Sequence, residues 1–172
     1  MKTNKIISFL NFDSKISNKW SSIDQNNIIR DLNFNRNNCY KITNDIEWGP
    51  TFSMPLKKMI RNENNFIDIS LKVKSKEDIN EIILVGTLDS DLKNIYWSGC
   101  NTKDYIIDSS SSSEWIKVHL TIKLSDVKLN NNNNIIFKTF IWNKCRKNII
   151  IDDYSVKIRN GNPYIYGLYE RF

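Results

Sequence analysis

Tryptophan is the residue type with the clearest chemical potential in this sequence. The chain carries five tryptophans, and aromatic residues make up 12% of its 172 residues. A flat exposed indole ring binds the apolar face of a ring-shaped ligand, and polar groups beside it fix the orientation. The alternative is that a tryptophan packs in the core or covers a sheet edge. The candidates for ligand contact are Trp20, Trp48, Trp97, Trp115 and Trp142.

The positions of the five tryptophans relative to the predicted strands divide them into three groups. Trp115 alternates in register with Lys117, which predicts that its ring lies on a solvated strand face. Trp142 shares a face with Phe140, and that pattern fits either a core or an exposed surface. The other three are Trp97, which lies near a strand end, and Trp20 and Trp48, which fall in predicted loops.

No arrangement of residues typical of catalysis is present. His119 is the only histidine, and no nucleophile or acid is placed beside it by a recognisable motif. The sequence has no GxSxG, HExxH or P-loop pattern. Glu47 and Glu114 could act as a pair of acids for glycoside hydrolysis, but nothing in the sequence sets the separation such a pair needs. We therefore predict that the protein is not an enzyme.

Composition and periodicity predict the elements that carry these residues. Hydrophobic residues make up 40% of the chain and charged residues 26%, and there is no alanine, the best helix former. Phe66–Lys74 and Trp115–Leu124 alternate strictly between apolar and polar residues. This period of two is typical of antiparallel strands with one face in a core and the other in water.

Weaker patterns predict the remaining strands and one short helix. Glu81–Leu88 and Ile95–Ser98 form a predicted hairpin, and Ile135–Trp142 and Asn148–Ile158 form the last predicted pair. Pro55–Ile60 predicts a single helical turn. Eight to ten short strands in all indicate a β-sandwich or barrel. The other predicted strands are Ile6–Asp13, Ile28–Leu32, Cys39–Thr43 and Thr51–Pro55.

Charge, cysteines and hydropathy limit the partners. The formal charge is +6 and the isoelectric point is about 9.2, but the lysines are spread singly along alternating strands, which argues against a nucleic-acid partner. The three cysteines, Cys39, Cys100 and Cys145, have no metal-binding spacing and allow at most one disulfide. The apolar segment at Ile6 is too short for a clear signal peptide, and no segment is long enough to insert in a membrane.

Several segments, in their order along the chain, resemble the jelly-roll carbohydrate-binding modules of the galactose-binding-like superfamily. The segment WGPTFSMPL is similar to one in surface domains of Bacteroidetes, and the most specific segment is the closing strand with its pair of aspartates. The resemblance covers Ile6 to Ile158. Its segments are FLNFD with Trp20 after it, WGPTFSMPL, LVGTL, IYWSG, EWIKVHL, FIWN and NIIIDDYSVKI.

The resemblance implies an all-β antiparallel sandwich over residues 1–158 and a non-catalytic module that binds an oligo- or polysaccharide through exposed tryptophans and polar loop groups. It also implies a structural Ca²⁺ site at Asp13, Asp152 and Asp153, although the family more often has glutamate at the position of Asp13. The alternative for these carboxylates is hydrogen bonding to backbone N–H groups of the adjoining loop.

The same resemblance implies an extracellular or cell-surface location within a larger protein. Residues 159–172, rich in tyrosine, either pack on the sandwich or begin a linker. Two other functions stay open. One is a protein-interaction or spacer domain of the same fold, and the weaker one is a jelly-roll glycoside hydrolase.

Overall fold

Alternation along the strands explains which side chains form the core. A computed structural model describes residues 5–30, 37–60, 64–77, 81–91, 93–105, 115–127, 129 and 134–160. In the strand predicted at Phe66–Lys74, every second side chain is buried at 1% exposure or less, while the residues between them are partly exposed. The buried residues are Ile67, Ile69, Leu71 and Val73.

The predicted strands are present with small shifts of their ends, and one short strand was not predicted. Helical structure in the described part is confined to 3-10 turns, of which Leu56–Lys58 matches the predicted turn. The strands are β1 (Lys5–Leu10), β2 (Trp20–Ser21), β3 (Ile28–Arg30), β4 (Asn38–Ile42), β5 (Thr51–Pro55), β6 (Asn65–Lys74), β7 (Ile82–Ser90), β8 (Lys93–Asn101), β9 (Ile116–Lys123), β10 (Ile136–Asn143) and β11 (Ile149–Asn160).

Two antiparallel sheets share one hydrophobic core, which confirms the predicted β-sandwich. The six-stranded sheet has the order β3-β4-β11-β6-β9, and β1 also pairs with β11. The five-stranded sheet has the order β2-β5-β10-β7-β8. The predicted hairpin of β7 and β8 is confirmed, with Thr87 opposite Trp97 in its register.

The predicted pairing of β10 with β11 was wrong, because the two strands belong to different sheets. β10 pairs with β5 and β7, whereas β11 pairs with β1, β4 and β6. The segment between them crosses from one sheet to the other. A polar turn and two apolar strands look alike in sequence whether they form a hairpin or a crossover between sheets.

A polar bridge ties the two sheets together inside the core. The Thr139 hydroxyl of β10 donates to the carbonyl of Val85 at 2.7 Å and lies 2.8 Å from the Tyr154 hydroxyl of β11. Because the single Thr139 proton is used on the carbonyl, Tyr154 donates to Thr139. Both side chains are fully buried, so this hydrogen bond fixes one sheet against the other.

The three cysteines form no disulfide, so non-covalent interactions alone hold the sandwich. Cys39 is buried, and Cys100 and Cys145 are partly buried. No helix of the described residues is long and apolar enough to cross a bilayer. The predicted tail, residues 159–172, lies outside the described residues beyond Asn160.

Candidate binding site on the five-stranded sheet

The outer face of the five-stranded sheet carries a cluster of aromatic side chains. On β10, Phe137, Thr139 and Ile141 are buried and point into the sandwich, so Phe140 and Trp142 point outward. Trp48 stacks on Trp142 with ring centroids 5.3 Å apart and an angle of 16° between the planes. It also meets Phe140 edge to face, at 5.4 Å and 81°.

The fourth aromatic side chain of this face comes from β8. A Cβ atom added at Gly99 would lie 2.5 Å from Cη2 of Trp97 and 3.0 Å from Cγ2 of Ile83, so the Trp97 indole lies over Gly99 and beside Ile83. Glycine at position 99 makes this close approach possible. We call Trp48, Trp97, Phe140 and Trp142 the aromatic platform.

Strand register places β7 between the two halves of the platform. Phe140 is opposite Val85, and Val85 is opposite Gly99. Neighbouring strands lie about 4.8 Å apart, so the β10 and β8 sides of the platform are separated by about 10 Å. The two sides can therefore contact different rings of one extended ligand.

The platform exposes a large apolar area to solvent. Trp97 is 52% exposed and Trp48 is 47% exposed, and Ile95 on the same strand as Trp97 is 39% exposed. Large aromatic side chains are rarely left this open in a monomer unless they bind something. The Trp48 ring is held by its contacts with Trp142 and Phe140, whereas the Trp97 ring lies over Gly99.

The loop that carries Trp48 is fixed by a buried asparagine. The Asn143 side-chain amide donates to the carbonyls of Ile46 and Lys147 at 3.1 and 2.9 Å, and its backbone N–H donates to the carbonyl of Glu47 at 2.8 Å. Gly49 then donates to the carbonyl of Ile141 at 3.0 Å. These bonds place the backbone of Trp48 directly beside β10 as an isolated bridge to Trp142.

Gly49 is required by this close approach. An added Cβ would lie 2.4 Å from Cγ2 of Ile141 and 2.6 Å from Cδ1 of Ile42, both of which are buried. Any larger residue pushes the Trp48 segment away from β10 or distorts the core.

Three ion pairs lie at the rim of the platform. Glu47 accepts from the Trp142 indole N–H at 3.2 Å and pairs with Arg146 at 2.6 Å. Lys138 pairs with Asp89 at 2.9 Å, and Lys144 with Glu81 at 2.7 Å. Each of these cations on the rim is therefore matched by a carboxylate.

The other two predicted tryptophans lie elsewhere. Trp20 is only 7% exposed, and its ring packs against Phe52 and Tyr154 in the core while its indole N–H donates to Ser8 at 2.8 Å. It belongs to the short strand β2 rather than to a loop. Trp115 lies beside β9 of the other sheet, where the ammonium of Lys74 is 5.6 Å from its ring.

Of the predicted site residues, the structure therefore brings together Trp48, Trp97 and Trp142 and separates Trp20 and Trp115 from them. Sequence reasoning missed Phe140 as a member of the site, although the alternation of Phe140 and Trp142 around the buried Ile141 was a usable signal. The positioning roles of Gly49 and Asn143 had no signal in the sequence, because they depend on a loop that packs beside β10.

Of the predicted calcium ligands, Asp152 interacts electrostatically with Asp13 and Asp153, but both of these have other partners. Asp153 forms an ion pair of 2.6 Å with Lys72. Asp13 accepts from the backbone N–H of Asn38 at 2.7 Å, which is the alternative predicted for these carboxylates. Within the described residues, no group of three or more His, Cys, Asp or Glu side chains is arranged to hold a metal ion.

Asp152 is the carboxylate most affected by its surroundings. Burial, followed by the negative charges of Asp153 and Asp13, raises the pKa of Asp152 to about 6, although the backbone N–H of Asp153 donates to it at 2.7 Å. The strand bulges here and Asp153 has a positive φ of 51°, which interrupts the regular alternation of side chains between the two faces of the strand. The nearby charges of Asp153 and Asp13 therefore add to the effect of burial in disfavouring the ionised form of Asp152.

The candidate catalytic groups have structural partners. The Tyr105 ring meets His119 edge to face at 5.3 Å, and the Tyr105 hydroxyl donates to the His119 carbonyl at 2.7 Å. The Glu47 carboxylate is engaged with Trp142 and Arg146, as described above, and Glu114 lies outside the described residues.

Comparisons with known proteins agree with the architecture. No protein-family model matches the sequence, and no curated protein matches it. A CBM22 xylan-binding domain from Paenibacillus barcinonensis matches with a TM-score of 0.53 at 12% identity, over 94% of this chain and 99% of that one. A tandem of two CBM22 domains from the same organism matches with a TM-score of 0.56 at 12% identity, over 95% of this chain and 48% of that one.

An enzyme chain also contains a similar domain. An arabinose-bound GH51 α-L-arabinofuranosidase matches with a TM-score of 0.51 at 10% identity, over 89% of this chain and 27% of that one. Sequence identities this low show only that the proteins share the same fold. The chain has the jelly-roll β-sandwich fold that the matched xylan-binding domains also have.

Proposed function

We propose that this domain is a non-catalytic carbohydrate-binding module that holds a neutral oligo- or polysaccharide on the aromatic platform. The observation that carries the proposal is the pair of half-exposed indoles, Trp48 and Trp97, on one sheet face. Flat apolar plates of this kind bind the C–H faces of sugar rings. Sugar hydroxyls must be desolvated on binding, so the affinity is expected to be modest.

The charge of the rim supports a neutral ligand. Lys138, Lys144 and Arg146 each pair with a carboxylate near the platform. Cations that are already paired would attract an anionic polymer only weakly. The carboxylates paired with them would repel it. Glu47, which is ion-paired and bonded to Trp142, supports a binding role rather than a hydrolytic one.

The proposal is tested by calorimetry with soluble neutral polysaccharides, among them xylan, mannan and β-glucan. We expect Trp97→Ala to weaken binding by roughly tenfold or more, because truncation of a central aromatic contact typically costs this much. Phe9→Ala is the matched control, since Phe9 is 51% exposed on a strand of the other sheet. The absence of binding to every neutral glycan, or equal losses in both variants, would contradict the proposal.

A structural Ca²⁺ ion is the second component of the proposal. Asp13 and Asp152 would hold it, together with carbonyl oxygens, because Ca²⁺ binds six to eight oxygen ligands. The raised pKa of Asp152 means that its negative charge is unfavourable in this environment. A bound cation would offset that charge. Asp153, which is paired with Lys72, is the weakest of the three predicted ligands.

The proposed context is a larger exported protein. The matched tandem and the matched arabinofuranosidase are both longer chains in which the similar part covers 48% and 27% of the length. An extracellular or cell-surface location follows from the same proposal, since polysaccharides of this kind are found outside the cell.

An interaction domain is the second candidate, and one observation favours it. Ile6 on β1 is 62% exposed and Phe9 on the same strand is 51% exposed. In the described sheet β1 pairs only with β11, and a strand edge of this kind can pair with a strand of a protein partner. Size-exclusion chromatography with light scattering tests this candidate, because Ile6→Ser with Phe9→Ser would abolish any self-association through this edge.

A further inference from the structure

A second concave surface lies on the opposite sheet, away from the aromatic platform. It is a cavity of about 540 Å³ at the end of the six-stranded sheet formed by β3, β4, β11 and β6. Ile29 and Ile150 supply part of its apolar lining. Its positively charged lining consists of Arg30, Lys41, Lys74 and Lys76. We call this cavity the basic pocket.

Strand pairing gathers these cations from distant parts of the sequence. In the register of the sheet, Lys41 of β4 is opposite Ile150 of β11, and Ile150 is opposite Lys74 of β6. Residues directly opposite one another share a face, so the two lysines flank Ile150 in one row across the sheet. Arg30 is the last residue of β3, and Lys76 follows the end of β6.

The acidic residue at the border of the pocket has its own partners. The Glu77 carboxylate accepts from the backbone and side-chain amides of Asn148 at 3.2 and 3.1 Å, and it lies 3.4 Å from the ammonium of Lys147. The one carboxylate of the described lining is therefore bonded to the turn before β11. Lys41 and Lys76 are the cationic groups of the lining that we consider as contacts for an anion.

The ligand that fits is a ring with one apolar face and an anionic substituent. Isoleucine side chains offer a surface to C–H groups, and the ammonium and guanidinium groups offer charge-assisted hydrogen bonds to an anion. The positive area is short along the sheet, because Asp152 and Asp153 follow Ile150 on β11. A nucleic-acid backbone carries a continuous row of phosphates and would meet these carboxylates.

We propose that the basic pocket is a second binding site, specific for an acidic saccharide unit whose carboxylate or sulfate contacts Lys41 and Lys76. This site is on the sheet opposite the aromatic platform and does not depend on it. A carboxylate and a sulfate ester present the same chemistry to the lysines, so the test includes both.

The test measures binding of an α-1,4-linked oligogalacturonate by calorimetry at low and physiological salt. The matched ligand is the same oligomer with its carboxylates methyl-esterified, and a sulfated galactan oligomer provides the other anion. The double variant Lys41→Gln/Lys76→Gln is compared with Lys57→Gln/Lys58→Gln, which removes the same charge from two exposed lysines outside the pocket. Thermal unfolding of each variant checks that it is folded.

Support requires a specific pattern. The pocket variant should bind the oligogalacturonate about tenfold more weakly, the control variant should bind it nearly as well as the wild type, and esterification or high salt should weaken binding. Tighter binding of the sulfated oligomer with the same dependence on Lys41 and Lys76 supports the proposal and assigns the anion as a sulfate ester.

Other outcomes overturn it. These are absence of binding to both anionic oligomers, equal loss in the two double variants, and tighter binding to single-stranded DNA of similar charge. Trp97→Ala separates this proposal from the function proposed above, because it should weaken binding of neutral glycans roughly tenfold or more and leave oligogalacturonate binding intact. Loss of oligogalacturonate binding in Trp97→Ala with full binding in the pocket variant would place the acidic ligand on the platform instead.

Discussion

Individual hydrogen bonds decide how the two sheets sit on each other. Tyr154 and Thr139 are both fully buried and form the polar bridge between the sheets. Burial raises the pKa of the Tyr154 phenol far above its ordinary value, so the phenol stays protonated and remains a donor. A buried donor or acceptor that loses its partner costs more than the bond itself contributes.

This asymmetry predicts unequal costs for two substitutions. Tyr154→Phe removes one donor and leaves the bond from Thr139 to Val85 in place, so we expect a loss of about 1 kcal/mol in the free energy of unfolding. Thr139→Val removes the bond to the Val85 carbonyl and leaves the buried Tyr154 hydroxyl without its acceptor, so we expect a loss of about 2–4 kcal/mol. Urea denaturation measures both values, and a larger loss in Tyr154→Phe would contradict the assignment of donors.

The proposed calcium ion makes a prediction at Asp152. Because the pKa of Asp152 is raised in the folded state to about 6, its charge destabilises the fold above that pH and the penalty disappears as the pH falls toward 4. In chelator at pH 7, Asp152→Asn should therefore raise the melting temperature by about 2–4 °C. With calcium present, the wild type should gain stability and Asp152→Asn should not.

The measurement is thermal unfolding of both proteins in calcium and in EDTA, with Asp45→Asn as the control on a distant exposed loop. An identical response of the wild type in calcium and EDTA would remove the calcium ion from the proposal, while the pH dependence of Asp152 would stand on its own.

At the scale of the element, the Trp48 loop is the part of the site that depends most on its backbone. Gly49 lies against Ile141 and Ile42 with no room for a Cβ atom. We expect Gly49→Ala to lower the free energy of unfolding by about 1–3 kcal/mol, the usual range for overpacking a core. Because the same change displaces Trp48 from Trp142, glycan binding should weaken as well.

Gly99 provides the comparison for Gly49. A methyl group at Gly99 meets the outer end of the exposed Trp97 ring, which can turn away. Gly99→Ala should therefore weaken binding with little change in the free energy of unfolding. Equal stability of Gly49→Ala and wild type in urea denaturation would show that the loop is not held as closely as the structure indicates.

The positions of the strands were easier to predict from the sequence than the pairing of the strands in the sheets. Strict alternation in β6 and β9 identified the buried side of each strand, because burial and period two leave a local signature. Trp20 carried no such signature, since its strand has two residues and its burial depends on Phe52 and Tyr154 from other strands. The pairing of β10 with β11 was predicted wrongly for the same reason, because sheet membership is set by contacts distant in sequence.

The candidate sites show the same limit. The tryptophans could be named from the sequence, but which of them share a face depends on β7 lying between β10 and β8. The basic pocket was hidden, because lysines that are spread singly along the chain become neighbours only when β11 lies between β4 and β6. The distribution of charge along the sequence therefore underestimates how closely a sheet can bring charged residues together.

At the scale of the whole molecule, stability comes from one core shared by two sheets and from no covalent cross-link. Cys39, Cys100 and Cys145 are all free thiols. We expect the melting temperature to be the same with and without dithiothreitol, because reduction removes no loop constraint from the unfolded chain. A fall in the melting temperature under reducing conditions would indicate a disulfide and contradict this account.

The aromatic platform and the basic pocket face away from each other across the thickness of the sandwich. A polymer bound on one side leaves the other side open. A single copy of the domain could therefore cross-link two polysaccharide chains. If the two surfaces accept the neutral and acidic glycans proposed for them, mixing the protein with both polymers will thicken the solution, whereas either polymer alone will not.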